Sequence, residues 1–361
     1  MRILVVGPEY PDSFARNIVV ALQQMGFDAS SDYPGAHRGR SDEGPGPFLP
    51  LAVKFWPRFE NFVQDRFVRR AEALRPDLVL VTYGGVTPQT VKKLRGISPA
   101  VAAWYTDPSP NLERDYLLAG DYHCWFFKEP RAVALFRANL GLPVYFLPEC
   151  CNPAWHRRAE ITEKDLAKYA CDIALAGNCY YYRLKMIEGL SAFDLRIWGG
   201  SIARWLEHPM LKFHAHHYLA ELEKAKAFRA AKIVLNTFTY KETDGVNCRL
   251  FEATGCGGFV LTENRPTMQD FFAPGKEVAV FNSREELLAQ VRYYLSHPEE
   301  RESIARRGYE RTHREHTYEA RLRKLLEIVG QHTGLRFLEE GAEGSRQYAE
   351  GSRQYAVGSR Q

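Results

Sequence analysis

At 361 residues the chain is long enough for two domains of ordinary size, and its 45% hydrophobic and 25% charged content is that of a soluble globular protein. A formal net charge of +4 is small for this length and gives no reason to expect nucleic-acid binding, although a locally basic cleft stays open. Seven cysteines, an odd count without a C-x-x-C pair, favour reduced thiols in a cytoplasmic protein over a disulfide framework. The opening MRILVVGPEYPD is too short an apolar run for a signal peptide, and no later run reaches membrane-spanning length, so a membrane-linked substrate would call for peripheral docking.

In chain order, Arg2–Gly7 reads as a strand. It turns at Gly7-Pro8-Glu9-Tyr10-Pro11 into a helix over Ser13–Met25 with Ile18, Ala21, Leu22 and Met25 on one face. This βα start lacks G-x-G-x-x-G, so nothing supports a dinucleotide fingerprint. Glycine and proline over Asp32–Pro50 predict a mobile loop. A long helix is predicted over Leu51–Leu74, broken or kinked early by Pro57, with Phe55, Phe59, Phe62 and Phe67 as core aromatics. Strands are expected at Asp77–Thr82, Ala100–Tyr105, Tyr122–Phe127 and Val144–Leu147, alternating with helices, which means a parallel sheet covered on both faces. Asp107 follows the strand at Ala100–Tyr105 in the loop Thr106-Asp107-Pro108-Ser109-Pro110. An acid there is placed to meet a substrate, and equally to make a turn before proline. Leu147-Pro148-Glu149 and Asn152-Pro153 look like a hinge between domains over 1–150 and 151–333.

A second series follows: a strand at Asp172–Ala176, a helix near Arg183–Leu190, a strand at Leu195–Trp198 and a helix near Tyr218–Ala231. His208, His214, His216 and His217 have no cysteine or acid at ligand spacing and read as polar helix-start residues, so no metal site is expected. The stretch IVLNTFTYKETDGVNCRLFEATGCGGFVLTE, residues 233–263, then reads strand, polar loop, short helix, glycine turn, strand. Asn247 is the expected N-cap, Gly255 the left-handed residue that closes the helix, and Gly257-Gly258 the point of close backbone approach before Phe259–Thr262. A helix of about two turns is marginal alone, so packing must hold it. Its amino end offers amide donors and a positive dipole to an anion such as a diphosphate. Asp244 in the loop and Glu252 in the helix lie eight positions apart, and Arg249 stands one turn before Glu252. An acid beside an anion site is costly unless it accepts hydrogen bonds, and a ribose diol supplies two. The combination points to a nucleotide-diphosphate site.

Beyond it come a strand at Glu277–Phe281, a capping box formed by Ser283 and Glu286, a helix from Pro298 and another over Thr317–Val329. The tail repeats Gly-Ser-Arg-Gln-Tyr-Ala with a period of seven and too few apolar residues for a coiled-coil seam, so 334–361 reads as a disordered appendage.

Asp244-x7-Glu252 followed by Ala253-Thr254-Gly255-Cys256-Gly257-Gly258 resembles the E-x7-E and E-A-x-x-x-G region of GT-B glycosyltransferases. The fuller run NCRLFEATGCGGFVLTE, with YYLSHPEER and HTYEAR downstream, is similar to the CgeB-like, spore-maturation-type branch of that superfamily, closely over roughly Lys232–Leu322 and loosely elsewhere. Asp244 stands where the family usually has its first Glu. The resemblance implies an α/β GT-B fold, two Rossmann-like parallel-sheet domains facing across a cleft, with Tyr318–Leu326 crossing back to the first domain. It implies an enzyme that moves a sugar from a nucleotide-diphosphate sugar to an unknown acceptor, with no metal or other cofactor. The nucleotide would sit on the second domain, with Glu252 on the ribose hydroxyls and Asp244 on the donor sugar. The Asn247–Glu252 helix start and Arg183 would meet the diphosphate, and Arg249, Gly257 and Gly258 belong to the same donor-binding motif. Asp107 falls in the family's acidic D-x-P element, as a base or acceptor contact. Two other classes remain compatible with the residues: a non-catalytic sugar-nucleotide or carbohydrate-binding protein of a spore or envelope assembly, and a two-domain sugar-nucleotide epimerase. Stereochemistry does not follow from the fold.

Overall fold

The structure, a computed structural model, describes residues 1–34, 56–112 and 115–338. The chain divides into two units, one over Met1–Pro148 that also takes in the chain from Tyr318 onward, the other over Glu149–Thr317.

In the first unit the strands β1 (Arg2–Val6), β2 (Asp28–Asp32), β3 (Leu78–Val81), β4 (Ala100–Tyr105), β5 (Cys124–Phe127) and β6 (Val144–Phe146) form one parallel sheet in the order β2-β1-β3-β4-β5-β6. The inner strands β3, β4 and β5 read LVLV, AVAAWY and CWFF and are buried along their whole length, as strands covered on both faces must be. β2 reads DASSD and was not expected from its composition. It lies at the sheet's edge, where polar side chains protect an open rim. Trp104 in β4 is fully buried, donates its indole N–H to the Leu147 carbonyl at 3.1 Å, and meets Phe14 edge-on at 4.8 Å and Tyr318 at 6.2 Å. The helices Phe14–Gln24 and Tyr318–Thr333 therefore share an aromatic cluster over β4, each ring pair contributing about 0.5–1.5 kcal/mol beyond its area burial. The last helix packs with the N-terminal unit.

Pro57 opens the helix Pro57–Leu74 and does not kink it, because a residue in the first turn has no intrahelical partner for the N–H that proline lacks. Of the phenylalanines expected in the core, Phe67 is fully buried but Phe62 is 51% exposed. Phe55 lies outside the described residues, as do the predicted mobile loop beyond Pro34 and the heptad tail from 339 on.

In the second unit β7 (Cys171–Ala176), β8 (Leu195–Trp198), β9 (Ala231–Asn236), β10 (Val260–Glu263) and β11 (Ala279–Phe281) form a parallel sheet in the order β11-β10-β9-β7-β8. Its core includes Ile173, Leu175, Ile197, Ile233, Leu235 and Leu261. Because all strands run the same way, the loops that follow them gather on one edge. The helix Cys248–Gly255 runs down from that edge with Leu250 to Gly255 all buried. Thr254 Oγ1 accepts from Thr312 Oγ1 at 2.7 Å and His313 Nε2 lies 2.9 Å from the Gly255 carbonyl, so the helix Pro298–Glu315 supplies the packing that so short a helix needs. Gly255 stays inside the helix, Cys256 keeps a right-handed backbone, and the left-handed residue is Gly257 at φ +76°, two positions later than expected.

Candidate functional site

At the carboxyl end of β7 the chain turns through Gly177 at φ +119°, its N–H bonded to the Trp198 carbonyl at 2.8 Å. A Cβ there would lie 2.5 Å from Arg249 Nη1 and 3.2 Å from Arg183 Nη1. Two guanidinium groups thus converge on a spot that only a glycine leaves open.

Arg183, on the helix Tyr181–Met186, is 4% exposed. Its Nε donates to Thr237 Oγ1 at 2.8 Å, Nη2 to the Thr237 carbonyl at 3.1 Å and Nη1 to the Asn178 carbonyl at 2.5 Å. All three acceptors are neutral. Burial, and next the positive charge of Arg249, pull its pKa down to about 10. Arg249 is the second residue of the helix Cys248–Gly255, and its buried Nε has no hydrogen-bond partner. Burial opposes its charge, but the fields of Cys248, then Glu252, Tyr218 and Glu149, hold its pKa above the ordinary arginine value. Neither guanidinium has an ion pair among the described residues.

Asn247 caps the same helix, its side-chain oxygen accepting from the Leu250 N–H and its amide nitrogen donating to the Thr237 carbonyl, both at 3.3 Å. It links the helix start to the residue that holds Arg183. Glu252, 5% exposed, accepts from Lys224 Nζ at 3.0 Å, and Lys224 is buried as well. Arg249, one turn earlier, makes no ion pair with it among the described residues; the neighbouring helix Glu221–Ala230 supplies Lys224. Burial and the nearby Glu252 and Glu149 push the Cys248 thiol well above its ordinary range, which makes it inert as a nucleophile.

The loop 237–247 carries Asp244, whose carbonyl accepts from Thr267 Oγ1 and whose carboxylate meets Thr243 Oγ1 at 3.4 Å. Glu263, at the end of β10, braces this loop. One carboxylate oxygen accepts from Tyr182 OH at 3.1 Å and Arg265 Nη1 at 2.8 Å, the other from the Phe238 N–H at 3.0 Å. Asp107 belongs to the other unit, where it is exposed in the loop after β4, ahead of the 3₁₀ turn Ser109–Asn111.

Gly257 and Gly258, assigned to donor binding with the rest of the motif, lie elsewhere. They precede β10 at the amino edge of the sheet, opposite Gly177. A Cβ on Gly258 would come within 2.8 Å of Val234 and one on Gly257 within 2.8 Å of Arg158, so helix–strand packing requires these glycines. The four histidines scatter: His208 Nε2 lies 3.2 Å from Glu188, His217 Nε2 lies 2.9 Å from Glu223, and His214 and His216 stack edge-on at 4.7 Å.

Sequence reasoning missed Lys224, Thr237, Glu263 and Arg265 as parts of this arrangement. Lys224 sits in the run ELEKAKAF, which reads as a solvated helix face, and no local pattern marks it as buried.

The family described as Glycosyl transferase-like matches residues 183–327. No curated protein matches the chain. Among solved structures, sucrose-phosphate synthase from Thermosynechococcus elongatus superposes with a TM-score of 0.67 at 14% identity, covering 91% of this chain and 98% of that one. Anabaena Alr3699/HepE, solved in complex with UDP-glucose, gives 0.63 at 11% identity over 92% and 100%. An α,α-trehalose-phosphate synthase (UDP-forming) from Burkholderia vietnamiensis gives 0.58 at 12% identity over 92% and 99%. The chain has the two parallel-sheet domains of the GT-B fold. No helix of the described residues is long and apolar enough to cross a membrane.

Proposed function

We propose that the protein is a metal-independent glycosyltransferase of the CgeB-like branch, cytoplasmic, moving a sugar from a nucleoside-diphosphate sugar to an acceptor. One observation carries the reading: Arg183 and Arg249 converge on Gly177, and neither is ion-paired among the described residues. Buried like charges repel, and a diphosphate is the anion that neutralises two guanidinium groups through charge-assisted hydrogen bonds. The amino end of the helix Cys248–Gly255, capped by Asn247 and linked to Thr237, adds its dipole at the same edge. In this reading Glu252 accepts the ribose hydroxyls, Asp244 meets the donor sugar and Asp107 serves the acceptor as base or contact. HepE, a structure of similar fold, was solved in complex with UDP-glucose, which makes uridine the first nucleoside to try.

The test is thermal stability in the presence of nucleoside diphosphates, followed by incubation with the matching nucleotide sugars. A ligand at one hundred times its Kd adds about 2.7 kcal/mol to the native state. The reading expects one nucleoside diphosphate to raise the melting temperature and its sugar conjugate to be slowly hydrolysed. If none of them shifts the melting temperature, the reading fails. If a nucleotide sugar is interconverted without release of the nucleotide, the protein is an epimerase.

A further inference from the structure

The helix Pro57–Leu74 carries a surface that the donor site does not use. Arg58, Phe62, Arg66 and Arg69 are spaced by four, four and three residues, which sets them on one helical face. All four are exposed, opposite the face on which Gln64, Phe67 and Ala71 are buried. Trp56, just before the helix, is 67% exposed, and the Arg66 guanidinium lies 5.8 Å from the Phe62 ring. Nearby carboxylates are engaged: Asp65 pairs with Lys93 at 2.5 Å and Asp32 holds Arg70 at 2.7 Å. Glu72 borders the stripe, and the adjacent helix Pro88–Ile97 adds exposed Lys92 and Lys93. Among the described residues none of Arg58, Arg66 and Arg69 has an ion pair.

The amino half of this helix stands beside the loops at the carboxyl ends of β3 and β4. Gln64 Nε2 donates to the Gly85 carbonyl at 2.8 Å, and Tyr116 OH approaches Glu60 at 3.4 Å. Asp107 lies in the second of these loops.

We propose that the Trp56–Arg69 face docks the N-terminal unit on an anionic lipid bilayer. Three arginines without an ion pair among the described residues match headgroup phosphates, and Trp56 and Phe62 among them are the side chains that settle at the boundary between headgroups and acyl chains. A purely acidic protein partner would explain the arginines but not two large exposed rings between them. Docking here sets the Asp107 loop near the lipid surface, where a lipid-linked acceptor would present its sugar-accepting group.

The test is flotation of the full chain with phosphatidylcholine vesicles, with and without phosphatidylglycerol, at low and high salt. The wild type should float with the anionic vesicles only, and less at high salt. The variant Arg58→Gln/Arg66→Gln/Arg69→Gln should lose roughly tenfold or more of that affinity, and so should Trp56→Ser/Phe62→Ser, both with an unchanged melting temperature. A wild type that stays unbound at low salt, or folded variants that bind as the wild type does, would overturn the proposal. The UDP-induced thermal shift, read on the same samples, separates this from the donor-site reading. Vesicle binding without any nucleotide shift would sink the transferase and leave the docking surface standing.

Discussion

Lys224 Nζ lies 3.0 Å from Glu252 Oε2, with side chains only 4% and 7% exposed. Replacing Glu252 therefore has two consequences that must be told apart. Breaking a buried pair by removing one partner costs up to about 3–5 kcal/mol, because the other charge loses a compensating partner. Losing a carboxylate that accepts a ribose diol costs about 1.5–3 kcal/mol per charge-assisted hydrogen bond. Glu252→Gln should thus lower both the melting temperature and the nucleotide affinity. Adding Lys224→Met removes the other half of this pair, so the double variant should regain part of the stability while affinity stays down by roughly one to two factors of ten. A double variant that binds UDP as tightly as the wild type would make Glu252 a structural residue and nothing more.

Immediately before Lys224 in the chain, Glu223 gives a pH signature. Burial by itself would raise its pKa, but hydrogen bonds from Lys168 at 2.8 Å, Tyr169 at 2.6 Å and His217 at 2.9 Å outweigh burial and hold it at about 2. A carboxyl whose folded pKa lies below its unfolded value stabilises the native state above the unfolded pKa. That contribution disappears as the pH falls from the ordinary glutamate value of 4.5 toward 2. Melting temperatures across this window should drop more steeply for the wild type than for Glu223→Gln. Parallel curves would mean that the three hydrogen bonds do not shift the carboxyl.

The sheets were legible because their strands are buried on both faces and read as unbroken apolar runs. β2 was not, since an edge strand needs no apolar pattern. Arg183 could be picked out from its place just after the β7 turn, and Asn247 from its N-cap position. The partner of Glu252 could not: spacing shows Arg249 one turn away, while Lys224, 28 positions earlier, arrives by tertiary packing. The position of Gly257 and Gly258, at the sheet edge away from Gly177, was not legible either, because a linear motif does not show which of its residues share an edge. Eight helical residues rise about 12 Å, enough to carry the motif's end to the far edge of the sheet. Phe62 was misread for a simpler reason: the phenylalanines of the predicted helix look alike until the buried face is known.

If arginines and helix amides carry the leaving-group charge, excess chelator should leave sugar transfer nearly intact. Activity lost on chelation and restored by a divalent cation would replace that account with a metal-assisted one.

Asp107 is exposed at the end of β4 in the other unit, so its substitution tests the acceptor side alone. Asp107→Asn should leave the UDP-induced thermal shift as in the wild type and lower turnover by about 10²–10⁴, the usual contribution of a positioned general base. A smaller loss appearing only in the KM for acceptor would make it a binding contact. No effect on either would return it to a turn residue.

The sharpest prediction concerns the two arginines, because their surroundings differ. Arg183 holds Asn178 and Thr237 through three hydrogen bonds, so Arg183→Met should lower stability and nucleotide affinity together and decide little. Arg249 has a buried Nε without a partner and no ion pair among the described residues. Its removal relieves repulsion on Arg183 and forfeits attraction to Glu252 and Glu149, two effects of opposite sign. Arg249→Met should therefore move the ligand-free melting temperature little. Its effect should appear when the diphosphate binds: one charge-assisted hydrogen bond contributes about 1.5–3 kcal/mol, so UDP affinity should fall by roughly ten- to a hundredfold. Calorimetric titration with UDP, set beside thermal melting of the ligand-free variant, separates the outcomes. A variant that melts early yet binds UDP at wild-type strength would show that Arg249 is there for the fold, and the converging guanidinium groups would lose their claim to the diphosphate.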